Sequence, residues 1–558
     1  MIQERASARR RRCTRVSRLS GLFVVAACGS SSVPTGTPVP GLDGSVTPDG
    51  TVVPGRDAAA PEASADQGAP TDGAASGDAN AEAGAPVDLG PGGDFKAYAG
   101  SAAATLQALY DGSTGLWPST GWWNSANALT AIIDYSMASG TSTYTGDVAT
   151  TFSKNSGQSF LNTFYDDEGW WALAWIRAYD LTNDATYLSM AKTIFQDMSG
   201  GWDSTCSGGI WWSKAKTYKN AIANELFLEV ASRLHLRTPG DGGAGSFLDW
   251  AQREWSWFDQ SGMINAGNLV NDGLASCKNN GQQTWTYNQG VIVGGLVDLS
   301  KSTGDLSLLT RASAIATAAM KKLVNAYGVL VEPCEPSCGG DGPQFKGIFM
   351  RHLGELQAAT GDAAMQAFLA VNADWIWNAD RGPGDDLGLV WSGAFDSADG
   401  SRQSSALDAL NAAIPFSLPE KNLALSAAAT ANGSCAATQG ADKAFDGLVT
   451  TKWCSGATNG AYWLTVDLGA PVTIGRIIVR HAQAGGESAA WNTRDFSLST
   501  DDASPKTVLA SVTGNTHGVT IHRFTEITAQ RVRLDITAPQ TDPSTVAARI
   551  DELEVYAR

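Results

Sequence analysis

The chain has 558 residues, with 39 Lys and Arg against 56 Asp and Glu, which gives a formal net charge of −17 and a pI near 4.7. This balance argues against nucleic acid and anionic lipid surfaces as partners, because phosphate groups attract Lys and Arg. A neutral substrate is compatible with it. The length predicts more than one domain.

The first 28 residues have the pattern of an export signal. A basic segment that includes Arg9–Arg12 precedes a short apolar run, Leu19–Ala27, and Val25-Ala26-Ala27-Cys28 resembles the lipobox of bacterial lipoproteins. We therefore expect a lipidated Cys28 and a protein at the bacterial cell surface or in the periplasm; without lipid it would be secreted. Residues 29–93 are a low-complexity linker of small and polar residues that cannot bury enough surface to fold.

Residues 94–417 carry a spaced repeat of helix-like segments. Turns of the type Thr-Gly-Asp end at Asp147, Asp184, Asp241, Asp305 and Asp362, and the last four aspartates lie 57, 64 and 57 residues apart. Gly or Asn ends one helix in the left-handed conformation, and Asp caps the next. This spacing suits one helical hairpin per unit and predicts about twelve helices in an (α/α)6 barrel. An irregular helical bundle is the alternative.

The helix before each turn begins with polar and aromatic residues. If these helices form the inner ring and run the same way, the clusters meet at one mouth. Each cluster alone is weak evidence, because Asn and Gln near helix starts commonly act as caps. Together they suit a groove for a neutral polyol. The candidate substrate-binding residues are Trp122, Asn124, Asn127, Trp170, Asn220, Asn224, Tyr287, Asn288, Gln289, Lys346 and Arg351.

The Asp166-Asp167 pair stands before an apolar segment, Trp170–Leu181, that is rich in helix formers. Successive residues of a helix point about 100° apart, so both carboxyls can face one cavity only at or just before the helix start. Such a pair can supply the separation of about 5 to 5.5 Å that retaining glycoside hydrolysis needs. Mutual repulsion would then raise one pKa above the other. Glu168 competes for either role, and simple capping is the structural alternative.

The motifs of this region, taken in order, resemble those of glycoside hydrolase family 76, which comprises endo-α-1,6-mannanases and related transglycosidases. The resemblance implies an (α/α)6 barrel and retaining chemistry, with Asp166 as the nucleophile and Asp167 as the acid/base. No cofactor is expected for catalysis. The matching segments are Gly121–Asn127, Asp166–Trp171, Gly208–Trp211, Lys219–Ala221 with Asn224, Trp285–Gly290, and Phe345–Ile348 with Arg351.

Six cysteines remain after Cys13 and Cys28 are set aside. An exported chain with an even number and no zinc-like spacing favours disulfides over a metal site. We expect Cys435 to pair with Cys454 and Cys334 with Cys338, which leaves Cys206 for Cys277.

From residue 420 to 558 the pattern changes to short β-branched or alternating runs, such as Tyr462–Leu468 and Val532–Ile536, which predict an all-β jelly-roll sandwich. Segments including Ala444–Gly447, Thr451–Trp453 and Glu552–Val555 resemble a discoidin, or coagulation factor 5/8 C-terminal, domain of the carbohydrate-binding module family 32 type. That resemblance implies a structural calcium site at Asp446, Thr451 and Glu552. His481, Trp491 and Arg494 are candidate carbohydrate contacts, although Trp491 fits the core equally well.

The sequence thus predicts an exported, monomeric endo-acting mannanase with an appended carbohydrate-binding module. A mannan transglycosylase would use the same residues with a sugar as the acceptor. The alternative from another class is a surface glycan-binding protein without catalysis, which the retention of both Asp166 and Asp167 disfavours.

Overall fold

The computed structural model describes residues 93–456, 462–502, 505–540, 542 and 546–557, which all lie within one compact unit. The predicted signal, Cys28 and all of the predicted linker except Gly93 therefore lie outside the described residues. Within the described ranges, no helix has both the length and the apolar character needed to cross a membrane.

Twelve α-helices span the region from residue 95 to 413, and six of them close into an inner ring. Each inner helix packs against two others, in the order α2, α4, α6, α8, α10, α12 and back to α2. This closed ring confirms the predicted (α/α)6 barrel and excludes an irregular bundle. The inner helices are α2 (Trp122–Ser139), α4 (Tyr165–Thr182), α6 (Ala221–Leu236), α8 (Thr286–Thr303), α10 (Phe345–Thr360) and α12 (Gly400–Ala413).

The other six helices form an outer layer and return the chain between inner helices. Inner helices such as α6 and α8 are buried along most of their length, whereas outer helices such as α7 bury one face, as their polarity requires. The outer helices are α1 (Phe95–Ala108), α3 (Thr145–Asn155), α5 (Ala185–Ser199), α7 (Phe247–Gln260), α9 (Ser307–Lys322) and α11 (Ala363–Ala379).

The repeated turns lie where inner helices end, with one exception. Asn183, Gly304 and Gly361 take the left-handed conformation at the ends of α4, α8 and α10. The first predicted turn is wrong: residues 145–147 form the first turn of α3, because Gly140 has already ended α2 in the left-handed conformation.

Glycine allows the closest approaches between inner helices. A Cβ at Gly290 of α8 would lie 2.6 Å from the Cα of Phe349, and one at Gly347 of α10 would lie 2.3 Å from the carbonyl oxygen of Ser405. Any side chain there would push the backbones apart, so these glycines set the spacing of α8, α10 and α12.

The C-terminal domain is a β-sandwich in which two long strands, β5 and β8, pair antiparallel along most of their length. Their pairing is interrupted between Asp467 and Val472. The first half of β5 pairs with β3 and its second half pairs with β9. The strands are β3 (Ala428–Ala431), β4 (Trp453–Cys454), β5 (Tyr462–His481), β6 (Asp495–Thr500), β7 (Val508–Val512), β8 (Val519–Ala538) and β9 (Arg549–Tyr556), after a short hairpin of β1 (Leu274–Ala275) and β2 (Lys278–Asn279) in the helical domain.

All three expected disulfides are present. Cys206 pairs with Cys277, Cys334 with Cys338, and Cys435 with Cys454. The first ties the loop after α5 to the tip of the β1–β2 hairpin.

Candidate active site

The two aspartates lie in the first turn of α4, which begins at Tyr165. Free backbone N–H groups and the helix dipole favour negative charge at this position. Because the inner helices all run the same way, this end of α4 faces the mouth formed by the starts of the other five. Asp166 and Asp167 therefore lie at a helix start, as the sequence predicts.

The Asp166 carboxylate is fixed by an indole. Trp212 Nε1 donates to Asp166 Oδ2 over 2.9 Å, while Asp166 Oδ1 makes no hydrogen bond to the described residues. Burial and the adjacent Asp167 carboxylate raise the pKa of Asp166 well above its ordinary value, against the lowering effect of the indole and the helix N–H groups.

Asp167 is held by an amide whose orientation is itself fixed. Asn162 Nδ2 donates to Asp167 Oδ2 over 2.5 Å, and Asn162 Oδ1 accepts from the Phe164 N–H over 2.8 Å. The second bond dictates which end of the amide faces the carboxylate. Asn162 can therefore only donate to Asp167.

Glu168 points away from the mouth. Its side chain is fully buried, and its Oε1 accepts from Lys214 Nζ over 2.7 Å and from the Asn162 N–H over 3.1 Å. Burial raises the pKa of Glu168 to about 8. Lys214 also pairs with Asp197 of α5, so Glu168 braces the start of α4 and is a poor candidate for the chemistry.

A continuous aromatic wall crosses the mouth from α4 to α8. Trp170 stacks on Trp123 with ring centroids 5.7 Å apart, Trp123 on Phe345 at 6.2 Å, and Phe345 on Tyr287 at 4.0 Å. Trp285 meets the same Phe345 edge-on. Such faces pack well against the C–H faces of sugar rings. The sequence predicts Trp170 and Tyr287 as substrate contacts. Trp123 and Phe345 belong to the clusters predicted to meet at the mouth, but they were not among the predicted substrate contacts.

Several buried polar atoms near the mouth have no partner among the described residues. They are both amide atoms of Asn124 and of Asn288, the indole nitrogen of Trp122 and both carboxylate oxygens of Glu225. Burial raises the pKa of Glu225 well above its ordinary value, and Asp272 and Glu229 add to the effect. Polar atoms buried without partners are costly, so these groups fit a ligand or ordered water.

Two predicted ligands instead hold loops. Asn224 accepts from the Ile210 N–H over 2.7 Å and donates to the Ile210 carbonyl over 3.0 Å. Gln289 makes the same paired bonds with Val270, at 2.7 and 2.9 Å. Asn220 caps α6 through the Ala223 N–H. The amide groups of Asn224 and Gln289 are committed to backbone, which corrects the prediction that they face the substrate. The cap uses Asn220 Oδ1, and substrate contact by this residue stays a prediction.

Lys346, Arg351 and Asn127 are also committed to protein partners. Lys346 Nζ is buried and donates to Glu335 Oε1 and to the Leu389 carbonyl. Arg351 donates to Asn127 Oδ1 over 2.8 Å and contacts Asp408. These residues stabilise the inner ring beneath the mouth, so the prediction of direct substrate contact is corrected for them as well.

Asp272 belongs to the mouth and was not predicted. It lies before the β1–β2 hairpin, accepts from Tyr218 Oη over 2.5 Å, and contributes to the raised pKa of Tyr287 together with Asp166. Burial raises the pKa of Asp272. No helix start marks this position in the sequence; the Cys206–Cys277 disulfide is the only nearby signal that the loop returns to the mouth.

In the sandwich, the three candidate calcium ligands lie together. Thr451 Oγ1 is 2.8 Å from Asp446 Oδ1 and donates to the Leu448 carbonyl over 2.9 Å. Glu552 Oε1 accepts from the Gly447 N–H, and its buried Oε2 has no partner among the described residues. Burial raises the pKa of Glu552 to about 7. A cluster of hard oxygens with an unpartnered carboxylate oxygen fits Ca²⁺.

The candidate carbohydrate contacts separate into two kinds. His481 is fully buried, and its Nε2 lies 3.1 Å from Thr520 Oγ1. Its pKa is lowered to about 3 by burial, so the prediction of a ligand contact is wrong for His481. Trp491 is partly exposed, with Arg549 4.5 Å from the centre of its ring, and Arg494 is exposed.

Known proteins resemble the chain in both parts. The mannan endo-1,6-alpha-mannosidase DCW1 of Candida albicans is 28% identical over 344 residues, which is 54% of this chain and 74% of that protein. The DCW1 protein of Saccharomyces cerevisiae is 27% identical over 323 residues, 52% of this chain and 71% of that protein. The chain spans 57% to 75% of the length of the curated relatives it matches.

Solved structures share the helical fold. The GH76A α-1,6-mannanase of Salegentibacter sp. HEL1_6, in an inactive variant bound to α-1,6-mannotriose, superposes with a TM-score of 0.52 at 24% identity over 58% of this chain and 100% of that one. Dfg5 of Chaetomium thermophilum, in complex with glucosamine, gives a TM-score of 0.52 at 21% identity over 58% of this chain and 91% of that one.

The two family matches follow the two domains. Residues 428–552 match the F5/8 type C domain. Residues 94–427, more than half of the chain, match glycosyl hydrolase family 76 and include the ring and the Asp166-Asp167 pair. The chain therefore belongs to glycosyl hydrolase family 76.

Proposed function

We propose that the protein is a retaining endo-α-1,6-mannanase. The observation that carries the proposal is the carboxyl pair in the first turn of α4, where Trp212 Nε1 donates to Asp166 and Asn162 Nδ2 donates to Asp167 at the mouth of the ring. The inactive Salegentibacter mannanase crystallised with α-1,6-mannotriose and α-1,6-mannotetraose was made by replacing two consecutive aspartates. That pattern supports a catalytic need for the adjacent Asp166 and Asp167 in this chain.

In the first step Asp166 attacks the anomeric carbon, and Asp167 gives its proton to the departing glycosidic oxygen. The Trp212 indole orients the Asp166 carboxylate, and Asn162 orients Asp167. In the second step Asp167 takes a proton from water, whose oxygen displaces Asp166 from the anomeric carbon. Two displacements leave the product in the α configuration.

The wall of Trp170, Trp123, Phe345 and Tyr287 supplies apolar faces for sugar rings. The unpartnered groups of Asn124 and Asn288 supply hydrogen bonds for hydroxyls. A site that combines aromatic faces with a few placed amides suits a neutral chain rather than a charged one.

Product analysis on linear α-1,6-mannan tests the proposal. Short oligosaccharides should appear from internal cleavage, and early proton NMR should show the α anomer first. Asp166→Asn should abolish turnover, and Asp167→Asn should accumulate a glycosyl-enzyme from an activated aryl substrate, which azide can rescue. Glu168→Gln is the matched control and should stay active. A β anomer formed first, or activity in Asp166→Asn with none in Glu168→Gln, would reject the assignment.

The same residues would serve a mannan transglycosylase, in which a sugar hydroxyl replaces water in the second step. Product size distinguishes the two: chains longer than the added mannan oligosaccharide identify transfer. Hydrolysis is the proposed outcome because the relatives with the matching domain are named mannosidases.

For the sandwich we propose a calcium site at Asp446, Thr451 and Glu552, with the Leu448 carbonyl close to the same oxygens. Ca²⁺ would be held by these oxygens together with the unpartnered Glu552 Oε2, and would so stabilise the loop around Gly447. Melting of the full chain in chelator and in excess Ca²⁺ tests this. Equal melting temperatures in the two conditions would contradict it.

The partly exposed Trp491 and the exposed Arg494 support a carbohydrate-binding role for the sandwich. The N-terminal pattern supports an exported lipoprotein anchored through Cys28, which we propose is a monomer. Mass spectrometry of the mature N-terminus tests the anchor, and sedimentation tests the monomer. An unmodified terminus at another residue would exclude lipidation.

A further inference from the structure

A cleft of about 910 Å³ lies between the helical domain and the sandwich. It is separate from the Asp166-Asp167 mouth. The helical side contributes the end of α11 and part of the loop that leads to α12; the sandwich contributes four loops and the edge of β9. Its lining includes Phe395, Asn422, Leu425, Val449, Arg480 and Gln483.

The walls of the cleft are fixed to each other by buried polar contacts. Asp374 of α11 accepts from Arg476 over 2.8 Å and from Arg523 over 2.7 Å, and neither Asp374 nor Arg476 is exposed to solvent. Arg480 donates to the Asn378 carbonyl and to Asn378 Oδ1, each over 3.0 Å. Such contacts hold the two domains in one arrangement, so the cleft is preformed.

Most charged groups along the cleft are already paired; the exception is Glu552, the proposed calcium ligand, which also lines it. Arg480 pairs with Glu554, Arg381 with Asp385, and Lys452 with Glu487. A charged ligand would have to displace one of these partners, whereas a neutral ligand leaves them in place. The pairing therefore favours a neutral, hydrogen-bonding occupant.

The remaining surface offers the contacts that a sugar chain uses. The side-chain amide oxygens of Gln483 and Asn422 each accept hydrogen bonds. Within the described part of the chain, the amide nitrogens of these two residues donate none. The Phe395 ring is half-buried and lies against Gly382, where a Cβ would come within 2.6 Å of it. Leu425 and Val449 are 51% and 38% exposed.

We propose that this cleft is a second saccharide-binding site, built by both domains, that takes a neutral segment of the α-mannan chain. The inference rests on the proposed mannanase function, which supplies a polymer long enough to occupy two sites. The same loop joins them: residues 381–395 line the cleft, while the Leu389 carbonyl and the Trp391 ring contact Lys346 at the start of α10.

Calorimetric titration with α-1,6-mannotetraose tests the proposal. The full chain carries both Asp166→Asn and Asp167→Asn, so that it binds the ligand without turnover. We expect two binding events per chain. Phe395→Ala removes the aromatic face, and Val449→Trp fills the cleft without removing a polar contact. Each should weaken one event at least tenfold and leave the other unchanged. Leu306→Ala, at a 70% exposed position before α9, is the control and should retain both.

A single event that neither cleft variant alters would overturn the cleft site and leave the proposed enzyme intact. Two events that persist unchanged in both variants would also overturn it, since the second site would then lie elsewhere. No binding at all would overturn the mannanase proposal itself, so the two failures are distinguishable.

Discussion

At the scale of single residues, Asn162 is the side chain on which the acid/base depends most directly. We expect Asn162→Ala to lower kcat roughly 10- to 100-fold, because a hydrogen bond to a charged group contributes about 1.5–3 kcal/mol. KM for short mannosides should change little, since Asn162 acts through Asp167. The pH–rate profile should shift as well, because the donor stabilises the ionised carboxylate.

The control for this experiment is Asn155→Ala, whose amide also bonds to backbone but at the outer helix α3. Equal losses in the two variants, or an unshifted pH profile in Asn162→Ala, would show that Asn162 only supports the fold.

The sequence predicted that the acidic pair lies at a helix start, and Asp166 and Asp167 do lie in the first turn of α4. Their catalytic roles were implied by the family resemblance, because acidic residues at a helix start commonly act as caps. The sequence could not predict Asn162 or Trp212. Their roles depend on two loops that close over the start of α4, and neither loop has a periodic pattern. The opposite error occurred at His481, where a polar residue near variable loops is fully buried against Thr520.

At the scale of elements, amides that resemble substrate ligands serve to hold loops before the inner helices. Asn224 and Gln289 bind Ile210 and Val270, and Gln403 accepts from the Leu387 N–H in the same way. In the sequence, an amide near a helix start looks the same whether it faces a sugar or a peptide group. Only the path of the preceding loop distinguishes the two, which is why the helices were predictable and these ligands were not.

The Cys206–Cys277 disulfide should matter more than the Cys334–Cys338 disulfide. The chain-entropy model assigns about 4 kcal/mol to a cross-link between residues 71 apart and about 2 kcal/mol to one between residues 4 apart. Replacing Cys206 and Cys277 by Ser should therefore lower the melting temperature more than the same change at the shorter bridge. Calorimetry of the two double variants measures this; equal losses would contradict it.

The buried Glu332 carboxyl should make the free energy of unfolding depend on pH. Its buried carboxylate accepts from the Thr286 N–H at the start of α8, and burial raises its pKa to about 8 from the ordinary 4.5. Between these values the folded protein binds more protons than the unfolded chain, so the free energy of unfolding falls as pH rises. A tenfold difference in proton affinity between the folded and unfolded states corresponds to about 1.4 kcal/mol.

The Gln side chain in Glu332→Gln stays neutral at every pH. As pH rises from 5 to 8.5, the free energy of unfolding of this variant should fall less than that of the unmodified protein, as measured by denaturant unfolding at each pH. Asp259→Asn, at a half-exposed ion pair, is the control and should follow the unmodified protein. Identical pH dependence in Glu332→Gln and the unmodified protein would refute the assignment.

At the scale of the whole molecule, the ring and the sandwich were both predictable, since helix period and strand alternation differ clearly along the chain. Their mutual arrangement was not. The sequence suggests a module appended to an enzyme, whereas the structure buries Asp374 and Trp375 of α11 against the sandwich. His517 of the sandwich reaches back to the Ser392 carbonyl and packs on Tyr327. Nothing in the local pattern of Asp374 marks it as an interface residue.

Asp374 is consequently the residue whose loss should separate the two domains. Asp374→Asn removes the buried carboxylate that pairs with both Arg476 and Arg523, while Arg476 keeps its ion pair with Glu420. Breaking a buried pair costs about 3–5 kcal/mol. We expect a lower melting temperature and faster proteolysis after residue 416. Asp180→Asn breaks a comparable two-bond pair with Arg237, but at a partly exposed site, and should cost far less. If both variants melt alike, the sandwich is a loosely attached module. If only Asp374→Asn is destabilised, the two domains unfold as one cooperative unit, and the cleft between them is a permanent feature of the protein.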